Sequence, residues 1–252
     1  MTAVMAGMTL AAKTSRMNDA GSNKEALDLL AGSALCHGME LETVKALARH
    51  AVRVERARGE RLCSEGAPAE TLFLISRGVV KLVRSLDSGR DVIVELVGPG
   101  EVLGEAALTD GSNYDASAVC VHPSTALAIG RDAAQAFVTS HPEAIRNVLA
   151  LLHGSLRRAH LRVEDLSIFG VRQRIARFLI RLADWTGRQE RGRTVVPLAL
   201  SRQELAALVG TTMETTIRVM SGLRQQGLVE PARRGVVLMD RAALETVAAG
   251  GP

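Results

Sequence analysis

The stretch from Leu200 to Val229, LSRQELAALVGTTMETTIRVMSGLRQQGLV, predicts two short helices joined by a tight turn. Ser201 and Glu204 have the spacing of a capping box, in which a hydroxyl and a carboxylate accept hydrogen bonds from each other's backbone amides. Gly210 can adopt the left-handed conformation that ends the first helix. Thr211 or Thr212 then caps the second helix, which we expect to stop at Gly227. The pattern is typical of a helix-turn-helix.

The second of these helices carries side chains suited to reading base pairs in a major groove. Arg218 can donate twice to guanine O6 and N7, and Glu214 can accept from cytosine N4. Met213 and Ile217 lie beside them near the N-terminal end of the helix. An ordinary surface ion pair between Glu214 and Arg218 is the alternative, because pairs with this spacing are common. The candidate phosphate contacts, which set register without reading sequence, are Arg202, Gln203, Thr212 and Thr215.

Charge is distributed unevenly along the 252 residues. Residues 168–252 contain 13 Lys and Arg against 7 Asp and Glu, a net charge of +6, whereas the other 167 residues contain 18 and 20, a net charge of −2. A basic C-terminal part predicts contact with a polyanion such as double-stranded DNA. A solvated basic face is the alternative that charge alone leaves open.

Between residues 27 and 141 the sequence predicts a small antiparallel β-roll that serves as a sensor domain. Short β-branched and Leu-rich runs from Val52 to Ile129, such as TLFLIS and DVIVELV, are separated by glycine turns. Many short strands with such turns are typical of a barrel or jelly roll. A helical segment from Lys24 to Ala48, interrupted by glycines, precedes them. Residues 1–26 are low in large apolar side chains, and we expect a flexible extension there.

Residues 142–167 predict a long dimerisation helix. It begins at Pro142, a favoured first-turn residue, and its apolar positions are spaced alternately four and three residues apart, as in the seam of a two-stranded coiled coil. The seam positions are Ile145, Leu149, Leu152, Leu156, Ala159, Val163 and Leu166. Because this stripe is narrower than a core-facing one, a parallel homodimer is favoured. Packing of the helix against the chain's own core is the alternative.

Residues 168–252 predict a winged helix-turn-helix domain. An amphipathic helix over residues 168–185 and a short strand over residues 195–198 precede the helix-turn-helix. After it, GLVEPARRGVVLMD predicts a hairpin of two apolar strands around residues 233–235, which would form the wing. With the β-roll and the long helix, this makes the expected fold α+β.

Several classes of protein are disfavoured by what the sequence lacks. No apolar run approaches the roughly 18 residues needed to span a bilayer, and the N-terminus does not have the order of a secretory signal, so a cytoplasmic protein without a membrane partner is expected. Cys36, Cys63 and Cys120 are widely spaced and odd in number, which disfavours a disulfide framework. The common nucleophile, phosphate-loop and zinc motifs do not occur, so an enzyme is not expected.

Taken together, these features resemble the CRP/FNR family of bacterial transcription regulators. The resemblance rests on the order of the domains and on the stretches EGAPAETLFLISRGVVKL, GEVLGEAAL and SRQELAALVGTTMETTIRVM. It implies that Glu214 and Arg218 read a G·C pair and its neighbour in each half of a TTGA- or GTGA-like palindrome, with RNA polymerase as a further partner. Members that read GTGA have Arg at the position of Met213, which favours TTGA here. Members that read TTGA often have Ser at the position of Ile217, so the outer bases stay open.

The resemblance also bears on the effector. In cyclic-nucleotide-binding relatives a Gly-Glu pair holds the ribose, and an Arg-Ser pair about a dozen residues later holds the phosphate. Here Gly104 and Glu105 are present, but Asp115 and Ala116 stand at the later pair. An Asp in place of an Arg puts like charge against a phosphate, which disfavours cyclic AMP. The cysteines lie outside the first 35 residues, where relatives with an iron–sulfur cluster carry theirs, so that cluster is not expected.

The stretch GEAALTDGSNYDASAVCV resembles the nitric-oxide-responsive DNR/NNR branch of the family, which implies heme as cofactor and a diatomic gas as effector. Heme needs an axial ligand in an apolar pocket. His37, near the junction of the N-terminal helices and the β-roll, is the first candidate for that ligand. Another small-molecule effector, or none, stays an open alternative. So does a β-roll interaction module without specific DNA binding.

Overall fold

The computed structural model describes residues 14–15, 20–86, 89, 91–109, 111–190, 192–197, 200–232 and 235–250. By its contacts the chain divides into two compact units. The first unit contains Met1–Val80 and Val97–Leu151, and the second contains Lys81–Leu96 and Leu152–Pro252. Among the described residues, no helix combines the length and apolar character that a bilayer crossing requires.

The N-terminal half of the chain alternates short strands with helices. Its helices are α1 (Ala20–Ala31), α2 (Leu41–Ala48) and α3 (Arg131–Ser140), with 3₁₀ turns at Ala34–Cys36 and Glu105–Leu108. Its strands are β1 (Thr14–Ser15), β2 (Ala51–Arg56), β3 (Arg61–Cys63), β4 (Thr71–Arg77), β5 (Val80–Ser85), β6 (Asp91–Val97), β7 (Val102–Leu103), β8 (Ser117–Cys120) and β9 (Ser124–Gly130).

The first unit is built on a five-stranded antiparallel sheet with the order β1-β2-β9-β4-β7. Its register places Val54 opposite Ala126 and Leu72 opposite Ile129. Strand β3 pairs antiparallel with β8 in a second sheet. Leu72, Leu74 and Ile129 are fully buried, and Phe73 and Ile75 are buried as well, so strand β4 is covered on both faces, as its continuous apolar run indicates. The prediction of N-terminal antiparallel β-structure is therefore confirmed.

The N-terminal end of the described chain is ordered differently from the expectation. Helix α1 begins at Ala20, so the boundary expected at residue 26 lies inside a helix. Strand β1 pairs with β2 through Thr14 and Ser15. The boundary at residue 26 was predicted from the first large apolar side chains. Helix α1 begins before them, and its first turn contains no large apolar residue. The rest of the predicted extension, residues 1–13 and 16–19, lies outside the described residues.

The C-terminal half contains the long helix and the elements of the helix-turn-helix domain. Its helices are α4 (Pro142–Ile168), α5 (Val171–Thr186), α6 (Arg202–Leu208), α7 (Met213–Gln225) and α8 (Arg241–Ala249). Its strands are β10 (Arg188–Glu190), β11 (Arg193–Pro197), β12 (Val229–Ala232) and β13 (Gly235–Leu238). Helix α4 begins at the predicted proline and continues for 27 residues.

The core of the second unit fixes the helix-turn-helix in place. Helix α5 packs against α8, and the buried residues Leu179, Leu205, Leu223 and Leu244 join α5, α6, α7 and α8. A four-stranded sheet with the order β10-β11-β13-β12 completes the domain. Strands β12 and β13 form the antiparallel hairpin predicted for the wing, and residues 233–234 of its turn lie outside the described residues. Strands β5 and β6 are neighbours in this unit.

Candidate nucleic-acid interface

The capping box at the start of α6 forms as predicted. The backbone amide of Glu204 donates to the Ser201 hydroxyl at 3.1 Å, and the Ser201 amide donates to the Glu204 carboxylate at 2.8 Å. The same carboxylate accepts from the ammonium of Lys81. Burial alone would raise the pKa of Glu204, but the hydrogen bonds from Lys81 and Ser201 outweigh it, and the pKa falls below its ordinary value. The N-terminal cap of α6 therefore contains an ionised carboxylate, and both of its side chains make hydrogen bonds.

The turn after α6 requires a glycine and is tied to α5 by an arginine. Gly210 has φ +65°, and a Cβ there would overlap the side chain of Leu166. The guanidinium of Arg174 donates to the carbonyls of Val209 at 2.7 Å, Gly210 at 3.1 Å and Phe169 at 2.7 Å. The bonds to Val209 and Gly210 satisfy carbonyls that the end of α6 leaves without helical partners, and the bond to Phe169 ties the same arginine to the junction of α4 and α5. No local sequence pattern marks Arg174, because its partners lie up to 36 residues away.

Helix α7 is capped by Thr212, which settles the choice between the two threonines of the turn. The Thr212 hydroxyl accepts from the Thr215 amide at 3.2 Å and donates to the Thr215 hydroxyl at 3.1 Å. The buried Thr216 hydroxyl donates to the Thr212 carbonyl at 3.0 Å. The first turn of α7 is therefore fixed by its own threonines. If Thr212 or Thr215 contacts a DNA phosphate as predicted, it does so in addition to these hydrogen bonds.

The four predicted base-reading side chains are all exposed at the N-terminal end of α7. Met213 is 51% and Ile217 46% exposed, and Glu214 and Arg218 are exposed as well. With respect to the described residues, neither Glu214 nor Arg218 makes an ion pair or a hydrogen bond. An internal ion pair, the alternative considered for these two residues, is thus not formed. Their charged groups are available to a ligand outside the chain.

A groove runs between α7 and the wing on the same side of the second unit. It has a volume of about 160 Å³, and its walls include Ile217 and Met220 from α7 and Pro231 from β12. Arg202, a predicted phosphate contact, lines it together with Arg224. Both arginines are exposed, as is Gln203. Arg224 was not a candidate from sequence, because an arginine in the last turn of a helix is also explained by the helix dipole.

The predicted dimer seam on α4 is exposed along its length. The exposed fractions at its large apolar positions are 49% for Ile145, 61% for Leu149, 47% for Leu152, 54% for Leu156, 63% for Val163 and 51% for Leu166. Ala159 is exposed as well. In a single chain the stripe is therefore not buried in the chain's own core, which was the alternative. A contiguous exposed apolar stripe of this kind is typical of a protein–protein interface.

In the first unit, the two segments of the candidate effector site are brought together by Tyr114. Gly104 has φ +82°, and a Cβ there would meet the Thr71 carbonyl oxygen at 2.8 Å and the Tyr114 ring at 3.2 Å. The Tyr114 hydroxyl donates to the same carbonyl at 2.8 Å. Glu105 follows in a 3₁₀ turn, while Asp115 is exposed and Ala116 half-buried just before β8. The segment that would carry an arginine in cyclic-nucleotide-binding relatives thus presents a carboxylate.

The surroundings of His37 and of two cysteines bear on the chemistry that these side chains can perform. His37 is exposed, whereas an axial heme ligand lies in an apolar pocket, so its position does not fit that role. Burial raises the pKa of the Cys36 and Cys63 thiols to about 11, which keeps them protonated. Within the described ranges, no group of three or more His, Cys, Asp or Glu side chains is placed to hold a metal ion.

Comparison with known proteins agrees with this architecture. Residues 53–141 match the cyclic nucleotide-binding domain, and residues 173–247 match the Crp-like helix-turn-helix domain. The chain is 34% identical to a cyclic AMP receptor protein of Thermus thermophilus over 220 residues, 87% of this chain and 98% of that one. It is 29% identical to a CRP-like cAMP-activated global transcriptional regulator of Mycobacterium tuberculosis over 217 residues, 86% of this chain and 97% of that protein.

A solved structure leads to the same class. The crystal structure of a CRP-family transcriptional regulator from Thermus thermophilus superposes with a TM-score of 0.67 at 31% identity, covering 79% of this chain and 97% of that one. The chain belongs to the CRP/FNR family of DNA-binding transcription regulators. Its domain of the cyclic nucleotide-binding type is followed by a Crp-like helix-turn-helix domain. Its α+β fold is the one predicted from the sequence.

Proposed function

We propose that this protein is a homodimeric transcription regulator whose α7 helices read the two halves of a TTGA-like palindrome. The observation that carries the proposal is the exposed Glu214–Arg218 pair on a capped helix, which no described residue engages. In a dimer related by a two-fold axis, two such helices meet successive major grooves about 34 Å apart. The exposed stripe on α4 supplies the dimer contact that this spacing needs.

The inner bases follow from hydrogen-bonding chemistry and the outer ones from apolar contact. Arg218 donates to guanine O6 and N7, and Glu214 accepts from cytosine N4. Met213 and Ile217 offer only carbon and sulfur to the groove, and the base-edge group that suits them is the thymine methyl. This combination favours TTGA over GTGA, because guanine in the first position would need a donor that Met213 lacks.

Binding to a TTGA/TCAA palindrome by fluorescence anisotropy tests the inner bases. With wild-type protein, we expect replacement of the G·C pair in one TTGA half-site to weaken binding by about 1–3 kcal/mol, the usual value of a bidentate contact. Arg218→Ala should remove this discrimination. Arg202→Ala is the matched control: it should weaken all duplexes alike and reduce the salt slope by about one. Unchanged selectivity in Arg218→Ala, or equal binding to random and palindromic DNA, would overturn the proposal in favour of an interaction module.

Replacement of thymine by uracil tests the outer bases. Uracil lacks only the C5-methyl group, and a buried methyl is worth about 0.8 kcal/mol, close to fourfold in affinity. Wild-type protein should therefore bind uracil-substituted outer positions about fourfold more weakly for each methyl that it contacts. In Ile217→Ala the penalty at the contacted base should vanish. If wild type does not distinguish the two bases, the outer positions are not read by apolar contact.

For the effector, we propose a small ligand other than cyclic AMP, bound near Gly104 and Tyr114. The exposed Asp115 supports this, because it puts a negative charge at the position where cyclic-nucleotide-binding relatives carry an arginine for the phosphate. Any effector acts through its different affinity for two states of the dimer, and the α4 helices are the element that both protomers share. Isothermal titration calorimetry with cyclic AMP checks the exclusion: micromolar binding would refute it.

Heme with nitric oxide is the effector that the DNR/NNR resemblance carries, and it has a direct optical test. Reconstitution of the purified protein with heme should give a Soret band that moves when gas is added. The exposed position of His37 argues against ligation through that residue. A featureless spectrum after reconstitution would remove heme from consideration, whereas a band that persists in His37→Ala would assign the ligand to another histidine. RNA polymerase is the expected protein partner, to be tested by transcription in vitro.

A further inference from the structure

The methionine sulfur atoms of the chain differ in how far they are open to solvent. Four of the eight methionines lie within the described residues: Met39, Met213, Met220 and Met239. Met213 is 51% exposed, whereas the other three are half-buried. It is the first residue of α7, directly after the Thr212 cap. Its thioether is therefore open to small molecules that reach the proposed DNA-reading end of the helix.

The cysteine thiols are much less available for sulfur chemistry. Cys36 and Cys120 are buried, and Cys63 is half-buried. Burial raises the pKa of all three thiols, to about 11 for Cys36 and Cys63, so they stay protonated at neutral pH. The reactive form of cysteine is the thiolate, whereas a thioether has no proton to lose. In the part of the chain that the structure describes, exposed sulfur is thus concentrated at Met213.

The contact proposed for Met213 requires an apolar side chain. In the proposed function, Met213 and Ile217 face the thymine methyl groups of the outer base pairs, and Ile217 has only carbon in its side chain. Transfer of one oxygen atom to the Met213 sulfur gives a sulfoxide, which is polar. A thymine methyl offers no donor to that oxygen, so a sulfoxide buried against it loses its hydrogen bonds to water without replacement.

We propose that Met213 is a reversible oxidation site through which a peroxide weakens binding to the TTGA-like palindrome. The proposal rests on the proposed function, because α7 must meet thymine. A sulfur lone pair attacks one oxygen of hydrogen peroxide, the O–O bond breaks, and the departing hydroxide takes the proton from the transferred oxygen and leaves as water. The sulfur is oxidised by two electrons and the peroxide is reduced by two. Methionine sulfoxide reductases reverse the change, one enzyme for each sulfoxide epimer.

Peptide mapping by mass spectrometry tests the oxidation step. Full-length protein is treated with hydrogen peroxide without DNA, and the sulfoxide fraction is followed at each described methionine. We expect Met213 to be oxidised several-fold faster than Met39, Met220 and Met239, because the peroxide must reach the sulfur. A second series contains the palindromic duplex, and binding should protect Met213. Equal rates at the four methionines without DNA, or a Met213 rate that the bound duplex does not change, would overturn the proposal.

Fluorescence anisotropy with the TTGA/TCAA duplex tests the effect on binding. Oxidised wild type should bind at least about fivefold more weakly than reduced protein, the lower end for an unpaired buried polar group, and treatment with both reductases should restore the affinity. Met213→Leu keeps an apolar side chain without sulfur, so peroxide should leave its binding unchanged. Met220→Leu is the matched control: it removes the half-buried methionine of the same helix and should stay as sensitive as wild type.

Two binding results would overturn the proposal: oxidised wild type that binds like reduced protein, or a Met213→Leu variant that loses as much affinity as wild type. Both variants retain the methionines at positions 1, 5, 8 and 17, so a difference between them is assigned to the substituted residue. Thermal unfolding before and after peroxide checks the fold. Reduced wild type that does not prefer the palindrome would refute the proposed function itself, and the inference with it, so the two failures are distinct.

Discussion

The exposed stripe on α4 gives the most quantitative prediction. Leu156 is 54% exposed in the single chain, and a parallel coiled coil would bury it in both protomers. Leu156→Ala removes three carbons, worth about 2.4 kcal/mol if fully buried at about 0.8 kcal/mol each. Slightly more than half of that burial depends on the partner, and the two-fold axis counts it twice. The free energy of dimerisation should therefore be less favourable by about 2.5 kcal/mol, which raises the dissociation constant roughly 70-fold.

Sedimentation equilibrium of the two forms measures this loss directly. Leu161→Ala is the matched control, because Leu161 is 41% exposed on the same helix but lies off the stripe. We expect Leu161→Ala to dimerise like wild type and Leu156→Ala to bind a full palindrome more weakly in proportion to its monomer fraction. Equal effects of the two substitutions, or a wild-type protein that is monomeric at micromolar concentration, would refute the coiled-coil interpretation.

Three further predictions concern stability and reactivity. Gly210→Ala should lower the free energy of unfolding by about 2–4 kcal/mol in urea titrations and Gly227→Ala by only about 1–2 kcal/mol, because both have positive φ but only Gly210 meets a neighbour; equal losses would contradict this. The pKa of Glu204 is lowered, so its contribution exists above its unfolded pKa and is lost as pH falls through the folded pKa. The Tm difference between wild type and Glu204→Gln should accordingly shrink from pH 7 to pH 3, whereas a constant difference would show that the charge is not involved. With a pKa of about 11, the Cys36 and Cys63 thiols are about 0.1% ionised at pH 8, so iodoacetamide should label them slowly in the native protein and rapidly in urea; fast native labelling would contradict the raised pKa.

The features that the sequence predicted well are those in which the partners are close along the chain. The capping box of Ser201 and Glu204 spans three residues, and the Thr212 cap spans three as well. The α4 stripe depends only on the spacing of apolar positions along one helix. In each case helical geometry alone brings the groups together, so the pattern of residues is sufficient evidence.

The features that the sequence did not predict depend on contacts between distant segments. Lys81 reaches the Glu204 carboxylate across 123 residues, and Tyr114 reaches Thr71 across 43. No local pattern marks such pairs, because each side chain alone looks like an ordinary surface lysine or strand tyrosine. The early start of α1 at Ala20 escaped for a related reason, since its first turn carries no apolar anchor.

Contacts of Leu166 and Arg174 with the turn after α6 give the second unit a short physical path from the proposed dimer seam to the proposed DNA-reading helix. Leu166 is the last seam residue of α4, and its side chain occupies the space that a Cβ on Gly210 would need. Arg174 donates to the Gly210 carbonyl, two residues before Thr212, the N-cap of α7. In the proposed dimer, a change in how the last turns of the two α4 helices pair would therefore move Leu166 against the turn. Because packed side chains resist compression, we expect the turn and the start of α7 to shift with Leu166, so that pairing along the proposed seam would change the angle at which Glu214 and Arg218 are presented to DNA.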